Sequence, residues 1–380
     1  MSRCKAWFRW NNKNSYSIAA LMPLIEAGLA RKPEPGIMLY SFATAQSVQI
    51  YREVSEAKAA KLDAVFVAGG PHPSAMPEEA LEHFDFVVIG EGEETLPELI
   101  GAIENGKNPA SVQGIAYKSG GEVRITEGRS PVDLDLYPPF GKILSPLEIS
   151  RGCPWGCTYC QTPRLFGCKM RHRSIPVIAK YARRHKDIRF TSPNSLAYGS
   201  DGRAARLEKV EALLSCLAEQ KKPIYFGTFP SEVRPDFVSD QALELITKYC
   251  ANRSISIGGQ SGSPAILRAI GRGHSVALVE EACDLCRDHD LTPQVDLIFG
   301  LPGESAEDQR MTLDLAKWIE KKGGKVRAHS FTPLPGTPLA SARPAPLAEE
   351  VEAELGRMAL EGKLTGIWSA RNVSASDRIA

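Results

Sequence analysis

Short apolar runs alternate with amphipathic stretches along the first hundred residues. The runs "KAWFRW", "GIMLYSF", "DAVFVAGG" and "DFVVIGEG" have the length and composition of buried strands. Between the second and third run, "SVQIYREVSEAKAAKL" repeats its apolar residues at helical spacing. Apolar strands that alternate with helices predict a parallel, doubly wound α/β sheet of the Rossmann-like kind. Its strands end in polar or glycine-rich segments, where ligands of such sheets bind.

A second series of strands and helices follows a connector. Residues 105–145 contain a predicted hairpin around Ser-Gly-Gly and a proline-rich, extended stretch. Six further strands are then predicted at 146–149, 187–192, 223–228, 254–258, 293–299 and 325–331. Six such units predict a partial (β/α)6 barrel. We therefore expect one domain over residues 1–140, the barrel over 141–340, and a short helical extension with a serine-rich tail over 341–380.

Composition limits the function classes. The 46 basic and 45 acidic residues give a net charge of +1, so a nucleic-acid partner is not expected. No apolar run approaches the roughly 20 residues that span a bilayer, and the start of the chain lacks the apolar region of a signal peptide. An odd number of cysteines, nine, is typical of a reducing compartment rather than of a disulfide framework. These features predict a cytoplasmic protein without a membrane partner.

Three of the cysteines lie in one loop, "SRGCPWGCTYC", at positions 153, 157 and 160. The loop follows the first strand of the second series, where barrel active sites lie. A structural zinc site is the alternative, but it normally uses four ligands. Three thiolates leave one iron of a 4Fe–4S cluster open to another ligand. The sequence therefore predicts a 4Fe–4S cluster held by Cys153, Cys157 and Cys160.

This loop resembles that of the radical S-adenosylmethionine (SAM) enzymes, which also place an aromatic residue before the third cysteine. The resemblance implies that SAM chelates the open iron and is cleaved to a 5′-deoxyadenosyl radical. It extends to "SISIGGQSGSPAILRAIGRGH" and "DLIFGLPGE", and it covers about residues 145–340. The implied SAM contacts are Tyr159, Asn194, Arg234, Gly259, Gln260, Ser261 and Ile298. A structural role is an equal alternative for Asn194 and Arg234.

Other residues near these motifs carry different expectations. Asp296 replaces a glycine of the commonest motif, and Glu304 comes one place late, which puts a role for Glu304 in doubt. We expect Cys283 and Cys286 to point from a helix into the core. Cys168 is expected to be a bystander.

The first domain resembles the cobalamin-binding domain that precedes the barrel in one subgroup of this family. The resemblance rests on "AGGPHPSAMP" followed by "FDFVVIGEGEETLPEL", and the alternative is an ordinary nucleotide-binding domain. Gly69 and Gly70 let the backbone approach a bulky ligand. A histidine ligand to cobalt is not expected, because the motif of the mutases is absent. The implied cobalamin contacts are Asn12, Tyr16, Ser41, Thr44, Gly69, Gly70, His72, Gly90, Glu91 and Gly92. For His72 the alternative is loop capping, and for Tyr16 it is plain packing.

Together the resemblances imply a cobalamin-dependent radical SAM methyltransferase that methylates an unactivated sp3 carbon. A low-potential electron donor is then required as a partner. The whole chain, including "FRWNNKNSYSIAAL", resembles the methanogen glutamine C-methyltransferases that modify the α-subunit of methyl-coenzyme M reductase. That resemblance implies an anaerobic setting, a post-translational modification and a protein or peptide substrate.

Three rivals remain. A cobalamin-dependent enzyme of the same kind acting on a small molecule, a lipid or a tetrapyrrole is the main alternative. Methylthiotransferases share the barrel but need further amino-terminal cysteines, and here only Cys4 precedes Cys153. A non-enzymatic iron–sulfur or cobalamin carrier is opposed by the SAM-type motifs beyond the cysteines.

Overall fold

The structure is a computed structural model that describes residues 5–11 and 13–368. The chain divides into two compact units. The first comprises Met1–Pro146, Gln161–Gly167 and Leu334–Gly336, and the second comprises Leu147–Cys160, Cys168–Pro333 and Thr337–Ala380. The short helix after the cysteine loop thus belongs to the first unit. Among the described residues, no helix is long and apolar enough to cross a membrane.

A seven-stranded sheet forms the centre of the first unit. Its strands are β1 (Ala6–Arg9), β2 (Ala27–Ala30), β3 (Gly36–Ser41), β4 (Ala64–Gly69), β5 (Phe86–Val88), β6 (Ile115–Ser119) and β7 (Glu122–Ile125). They lie in the order β2-β1-β3-β4-β5-β6-β7. The first five are parallel, so their carboxyl ends share one edge of the sheet.

Helices cover both faces of this sheet, as the doubly wound prediction requires. They are α1 (Ser15–Leu21), α2 (Ser47–Ala59), α3 (Pro71–Ala75), α4 (Pro77–Ala80) and α5 (Gly92–Glu104), and a further helix, α6 (Thr162–Phe166), contacts α3. Successive residues of β3 alternate between the faces: Met38 packs in a cluster with Val54 of α2, and Leu39 packs in a cluster with Leu99 of α5. The central strand is therefore buried on both sides, which explains its continuous apolar sequence.

Two features of the first unit differ from the sequence prediction. The hairpin around Gly120 and Gly121 forms as expected, but it continues the main sheet through antiparallel pairing of β6 with β5. Strand β2 was not predicted. Its four residues, Ala27–Ala30, are mostly small and do not favour a strand by themselves. The segment is a strand because it pairs with β1.

Parallel strands also form the second unit. They are β8 (Leu147–Glu148), β11 (Ile188–Thr191), β12 (Ile224–Tyr225), β13 (Ser254–Gln260), β14 (Thr292–Phe299), β15 (Lys325–Ser330) and β16 (Leu364–Ile367), with a small antiparallel pair, β9 (Ser150–Arg151) and β10 (Arg171–His172). The orders are β12-β11-β8 and β13-β14-β15-β16. A parallel bridge between Val233 and Ile257 joins the two groups. All six predicted strands of the partial barrel are present.

The helices of the second unit alternate with these strands. They are α7 (Ile175–Ala182), α8 (Leu207–Ala218), α9 (Asp240–Tyr249), α10 (Pro264–Ala269), α11 (Val276–Asp288), α12 (Ala306–Lys321) and α13 (Glu349–Leu360). Serine side chains cap four consecutive helices, α9 to α12, by accepting backbone N–H groups of the first turn; the caps are Ser239, Ser263, Ser275 and Ser305. Each cap satisfies a donor that the helix itself leaves unpaired and so fixes where the helix begins.

The carboxyl-terminal extension is only partly helical. Helix α13 forms as predicted, but β16 follows it and pairs in parallel with β15, which adds a strand to the barrel sheet. The segment "LTGI" is too short and too mixed in polarity to predict a strand by itself. Most of the predicted serine-rich tail, residues 369–380, lies outside the described residues.

Replacing Leu355 by alanine tests how much α13 contributes to the second unit. Leu355 is fully buried, whereas Leu360 of the same helix is 93% exposed. We expect Leu355→Ala to lower the free energy of unfolding by about 2–5 kcal/mol through lost burial and a cavity. Leu360→Ala should change it by less than about 0.5 kcal/mol. Urea titrations of both variants measure the difference, and equal effects would show that α13 is not packed as described.

Candidate active site

Ion pairs fix the strand that leads into the cysteine loop. Arg151 binds the Glu148 carboxylate with two hydrogen bonds, of 2.7 and 2.8 Å. The fully buried Arg173 donates to the backbone carbonyl of Glu148 at 3.1 Å. Both arginines thus bind Glu148, two residues before the loop begins at Ser150, and a bidentate guanidinium–carboxylate pair is rigid as well as strong. The loop therefore starts from a fixed point.

The far side of the loop is docked on the turn that follows α10. The N–H of Thr158 donates to the carbonyl of Ile270 at 3.0 Å. The guanidinium of Arg272 reaches Cys157 Sγ at 3.8 Å and also donates to the carbonyl of Gly258 at 2.7 Å. Its third contact is His274 Nε2, at 3.0 Å. Arg272 therefore ties a cysteine thiol to the end of β13.

His274 is a neutral acceptor in this arrangement. Burial, together with the charge of Arg272, lowers the pKa of His274 to about 4. Its Nε2 can then accept the Arg272 Nε–H at 3.0 Å without repulsion between two cations. The orientation of Arg272 is fixed accordingly.

Arg234 supports the loop through Trp155. Its guanidinium carbon lies 3.6 Å from the centre of the Trp155 ring, a cation–π geometry. Its N–H groups donate to both oxygens of Asp236 and, at 2.9 Å, to the carbonyl of Arg272. All three donor nitrogens are thus engaged within the protein. This arrangement favours a positioning role, and the SAM contact of Arg234 stays a prediction.

Three polar side-chain ends converge on the bare Cα of Gly258. A Cβ at this glycine would lie 2.5 Å from Arg272 Nη2, 2.7 Å from Gln260 Nε2 and 3.6 Å from Glu232 Oε2. The strand has a register shift between Gly258 and Gln260, and Gln260 has a φ of +69°. This left-handed conformation is uncommon for residues other than glycine and is typical of functional sites. The strained backbone of Gln260 therefore places its side-chain amide next to Gly258.

The other predicted SAM contacts fall into three groups. Tyr159 and Ile298 pack together around one apolar cluster with Leu301 and Phe331. Ser261 is fully buried and hydrogen-bonds Thr312 at 3.1 Å, which fixes the turn after β13. A Cβ at Gly259 would lie 2.7 Å from Val295, so that position is limited by packing.

Asn194 differs from these residues because its side chain is buried yet unpaired. It is 3% exposed, and neither amide atom has a hydrogen-bond partner within the described chain. A buried polar group without a partner is costly and is typical of a ligand-binding position. This favours the functional interpretation of Asn194 over the structural one.

Glu304 makes a structural contact through one carboxylate oxygen, while its buried Oε1 has no hydrogen-bond partner among the described residues. Burial raises the pKa of Glu304 to about 7, while its Oε2 accepts the Gly300 N–H at 2.7 Å and so closes the turn after β14. Cys283 and Cys286 are fully buried, as predicted, and burial raises the pKa of the Cys286 thiol to about 12. Cys168 is exposed.

The donor set of the loop fits an iron–sulfur cluster. Cys153, Cys157 and Cys160 are free thiols. Within residues 5–11 and 13–368, no three His, Cys, Asp or Glu side chains are grouped so that they could hold one metal ion. A 4Fe–4S cluster makes a different demand, because each cysteine ligates a different iron.

In the first unit, the predicted cobalamin positions lie at the carboxyl edge of the sheet. Ser41 and Gly69 end neighbouring strands and are paired in register. Gly70 has a φ of +93°, and a Cβ there would lie 2.9 Å from the backbone nitrogen of Phe42. Gly90 has a φ of +75° and only one atom within 4 Å of its Cβ position. Gly90 thus leaves open space beside the backbone at this edge, where a bulky ligand could approach, whereas Gly70 is required by its own conformation and by the closeness of Phe42.

Several of these predicted contacts are engaged within the protein. His72 is buried and hydrogen-bonds Thr44 at 3.2 Å and Tyr51 at 3.0 Å, an arrangement that favours the loop-capping alternative. Glu91 accepts the Val132 N–H at 2.9 Å and so holds the connector. Their contacts with cobalamin, like those of the other positions, stay predictions.

The positions nearest the ends of β1 and β5 complete this edge. The side chain of Tyr16 is 46% exposed. A Cβ at Gly92 would meet Leu21 at 3.3 Å, so the start of α5 packs closely on α1. Asn12 lies outside the described residues.

From the sequence, four charged residues of the barrel receive no predicted contact, although Asp296 stands in place of a glycine. Arg272 reaches Cys157, and Glu232, Asp296 and Arg327 form one ion-paired group. A signal was present for Asp296, because it interrupts the apolar strand "VDLIF", where charges are seldom found unpaired. Nothing in the spacing could show that they pair.

Two domain profiles match the chain. Residues 147–316 match the Radical SAM superfamily, and residues 23–100 match the B12 binding domain. The chain is a cobalamin-dependent radical SAM enzyme. The predicted cofactors, a 4Fe–4S cluster, SAM and cobalamin, are confirmed at the level of these domains.

Relatives in sequence support methyl transfer as the enzyme class. An uncharacterized methyltransferase of Pyrococcus horikoshii is 26% identical over 340 residues, which cover 82% of this chain and 70% of the relative. A bacteriochlorophyllide d C-12(1)-methyltransferase of Chlorobaculum tepidum is 26% identical over 281 residues, which cover 72% and 59%. The chain therefore spans only part of the length of these relatives.

Solved structures confirm the fold. The radical SAM methyltransferase TsrM from Kitasatospora setae, with cobalamin and a [4Fe–4S] cluster bound, matches with a TM-score of 0.68 at 17% identity, over 90% of this chain and 77% of that one. The cobalamin-dependent SAM radical enzyme OxsB matches with a TM-score of 0.65 at 16% identity, over 94% and 55%. The predicted order of a Rossmann-like domain followed by a barrel is thus confirmed.

Changing any cysteine of the loop should remove the cluster. In Cys153→Ala, Cys157→Ala and Cys160→Ala, each substitution deletes one iron ligand, so bound iron and sulfide should fall nearly to zero after anaerobic reconstitution. Cys168→Ala and Cys283→Ala are matched controls and should keep the cluster content of the unchanged protein. Loss of the cluster in either control would contradict the assignment.

Gly258→Ala should disturb SAM binding without unfolding the barrel. The added Cβ meets the flexible ends of Arg272 and Gln260, at 2.5 and 2.7 Å, so these ends must move. We expect the Kd for SAM to rise by about tenfold or more, the effect of losing one good hydrogen bond. Gly101→Ala is the control, because nothing lies within 4 Å of its Cβ. Unchanged SAM affinity in Gly258→Ala would show that the convergence at Gly258 is not part of the SAM site.

Proposed function

We propose that the chain methylates an unactivated sp3 carbon, and that the target is the α-carbon of a glutamine in the α-subunit of methyl-coenzyme M reductase. The observation that best supports methylation is that one chain contains both a three-cysteine loop and a B12 binding domain. The glutamine target rests on the resemblance of the opening segment "FRWNNKNSYSIAAL" and of the compact chain as a whole to the methanogen glutamine C-methyltransferases.

When bound, the cluster with SAM supplies a radical that removes a hydrogen atom from carbon, and cobalamin supplies the methyl group. The protein's own residues hold and orient these groups. Cys153, Cys157 and Cys160 would hold the cluster, and Arg272, 3.8 Å from Cys157, would offset the negative charge there. Gln260 and the unpaired amide of Asn194 are the side chains best placed by strain and burial to bind SAM. In the first unit, the carboxyl edge of the sheet at Gly69, Gly70 and Gly90 would hold cobalamin.

A peptide substrate is compatible with the chain's charge. The net charge is +1, so no strong overall field opposes a neutral or mixed peptide. The alternative is a tetrapyrrole or another small molecule, and one relative of this chain is named as a bacteriochlorophyllide methyltransferase. Both alternatives require the same two cofactors and differ only in the substrate.

Deuterium transfer tests the proposed target. A peptide deuterated at the glutamine α-carbon should yield one methylated peptide for each 5′-deoxyadenosine and each S-adenosylhomocysteine formed above the background of abortive cleavage. The deuterium should appear in 5′-deoxyadenosine, because hydrogen removal must precede methylation at that carbon. Mass spectrometry of the peptide and of the nucleoside measures both.

The controls separate the class of reaction from the substrate. Omission of cobalamin should abolish methylation while SAM cleavage continues. Methylation that persists without cobalamin would contradict the reaction class. Retention of deuterium in a methylated peptide would contradict the α-carbon as the target. No methylation of the peptide, with methylation of a tetrapyrrole by the same preparation, would favour the alternative.

A further inference from the structure

A group of charged side chains from separate elements meets in the barrel. Arg327 of β15 binds Asp296 of β14 through two hydrogen bonds of 2.6 Å each. The same guanidinium donates to Glu232, in the segment after β12, at 3.0 Å. His329 Nε2 lies 3.7 Å from the Asp296 carboxylate. Residues distant in sequence are therefore joined in one network, which we call the Arg327 cluster and define as Glu232, Asp296, Arg327 and His329.

The Arg327 cluster is close to electrically neutral. Burial, reinforced by the neighbouring Asp296, raises the pKa of Glu232 to about 8, so this carboxyl group is largely protonated at neutral pH. Burial alone would also raise the pKa of Asp296, but hydrogen bonds from His329 and Arg327 outweigh it and lower that pKa. One carboxylate thus balances one guanidinium. The cluster itself therefore carries little net charge, and the nearest further cation is Arg272, which approaches the same point at Gly258 as Glu232.

Arg327 keeps hydrogen-bonding capacity beyond the network. Its Nε and Nη2 make all of its hydrogen bonds within the described residues, which leaves Nη1 with two free N–H groups. The side chain is 27% exposed, so Nη1 can be reached. Its guanidinium carbon lies 4.4 Å from the centre of the Phe229 ring, which keeps the plane of the guanidinium in place. Phe229 itself is 57% exposed.

Glu232 connects this network to the candidate SAM site. Its Oε1 accepts from Arg327. Its Oε2 lies 3.6 Å from the position that a Cβ would take on Gly258, the same position that the side-chain ends of Arg272 and Gln260 approach. Its backbone carbonyl accepts the N–H of Ser195 at 3.2 Å, next to the unpaired, buried amide of Asn194. One carboxyl group therefore lies close to the candidate SAM-binding residues and accepts from Arg327 Nη2, the nitrogen next to the free Nη1. A substrate group held here would lie beside SAM.

Resting on the proposed function, we infer that Arg327 and Glu232 bind the neutral carboxamide of the substrate glutamine. The amide carbonyl accepts from Arg327 Nη1, and the amide N–H donates to a carboxyl oxygen of Glu232. A carboxamide matches this pair because it is neutral and offers one acceptor beside one donor. A substrate carboxylate would fit less well, because Asp296 already neutralises the Arg327 guanidinium and the Glu232 carboxyl group lies beside it. Asp296 and His329 act as positioning residues, because they orient Arg327.

A purely structural role for the cluster makes a different prediction. The pair Asp296–Arg327 also joins adjacent strands, and a strand clamp would affect stability alone. A substrate site must in addition discriminate between side chains, because a site built for a hydrogen-bonding group leaves its own polar atoms unpaired when the group is missing. Discrimination is therefore the quantity to measure.

The experiment compares two labelled peptides on the holoenzyme, one with the target glutamine and one with methionine, which has a similar length but no carboxamide. The Kd of each peptide is measured by fluorescence anisotropy, and kcat and KM are measured separately. The unchanged enzyme should prefer the glutamine peptide by about tenfold or more in Kd. Glu232→Met, which leaves the Asp296–Arg327 pair intact, and Arg327→Lys, which leaves Asp296 a cationic partner, should each reduce this preference to within about twofold.

The control is Glu211→Met, since Glu211 forms an exposed ion pair with Lys248 in the same unit and should leave the preference unchanged. Equal binding of the two peptides by the unchanged enzyme, or no binding, overturns the inference, as does a preference that survives in both Glu232→Met and Arg327→Lys. A glutamine preference that both variants lose supports the inference, even if the bound peptide is never methylated. That last result would count against the proposed function alone.

Discussion

The contact between the cysteine loop and the turn after α10 is the constraint on which the candidate site depends. Arg272 reaches Cys157, the carbonyl of Gly258 and His274, while Arg234 binds the carbonyl of Arg272 and stacks on Trp155 of the loop. If this contact were lost, the loop would lose its alignment with the end of β13. A three-thiolate site needs such alignment, because the iron without a protein ligand must face the group that it binds. Two arginines at the base and two at the far side make the loop a fixed part of the barrel.

Charge is balanced locally throughout the barrel. Arg272 stands beside a thiol that becomes a thiolate when it ligates iron, and Arg327 is balanced by Asp296. Desolvation and the neighbouring Asp296 raise the pKa of Glu232 to about 8, which reduces the negative charge between them. A neutral polar surface favours hydrogen-bonding specificity over electrostatic attraction, and buried groups that lack a partner penalise the wrong substrate. The first unit follows another principle, because Gly70 and Gly90 adopt a positive φ at the edge of its sheet and Gly90 leaves the space beside the backbone open.

The sequence predicts these features unequally. Both apolar series, the six barrel strands and the cysteine loop follow from local pattern, since strands such as β3 and β14 are nearly continuous apolar runs. Strands β2 and β16 could not be predicted, because their four-residue segments gain stability from pairing with a neighbour rather than from their own composition. Glu232 and Arg327 are 95 residues apart, and only the fold brings them together. His72 shows the converse, because a residue predicted from resemblance to touch a ligand is held by Tyr51 and Thr44.

Mössbauer spectroscopy of the iron-57 protein, reconstituted with its cluster and then mixed with SAM, tests the central claim most directly. The claim is that three cysteines hold a 4Fe–4S cluster and leave a single iron for SAM. The account predicts that one iron site changes its isomer shift and quadrupole splitting when SAM is added, while the signals of the three cysteine-bound irons stay as they were. A cluster whose four irons are all insensitive to SAM, or a protein that binds a single metal ion in the loop instead, would contradict it.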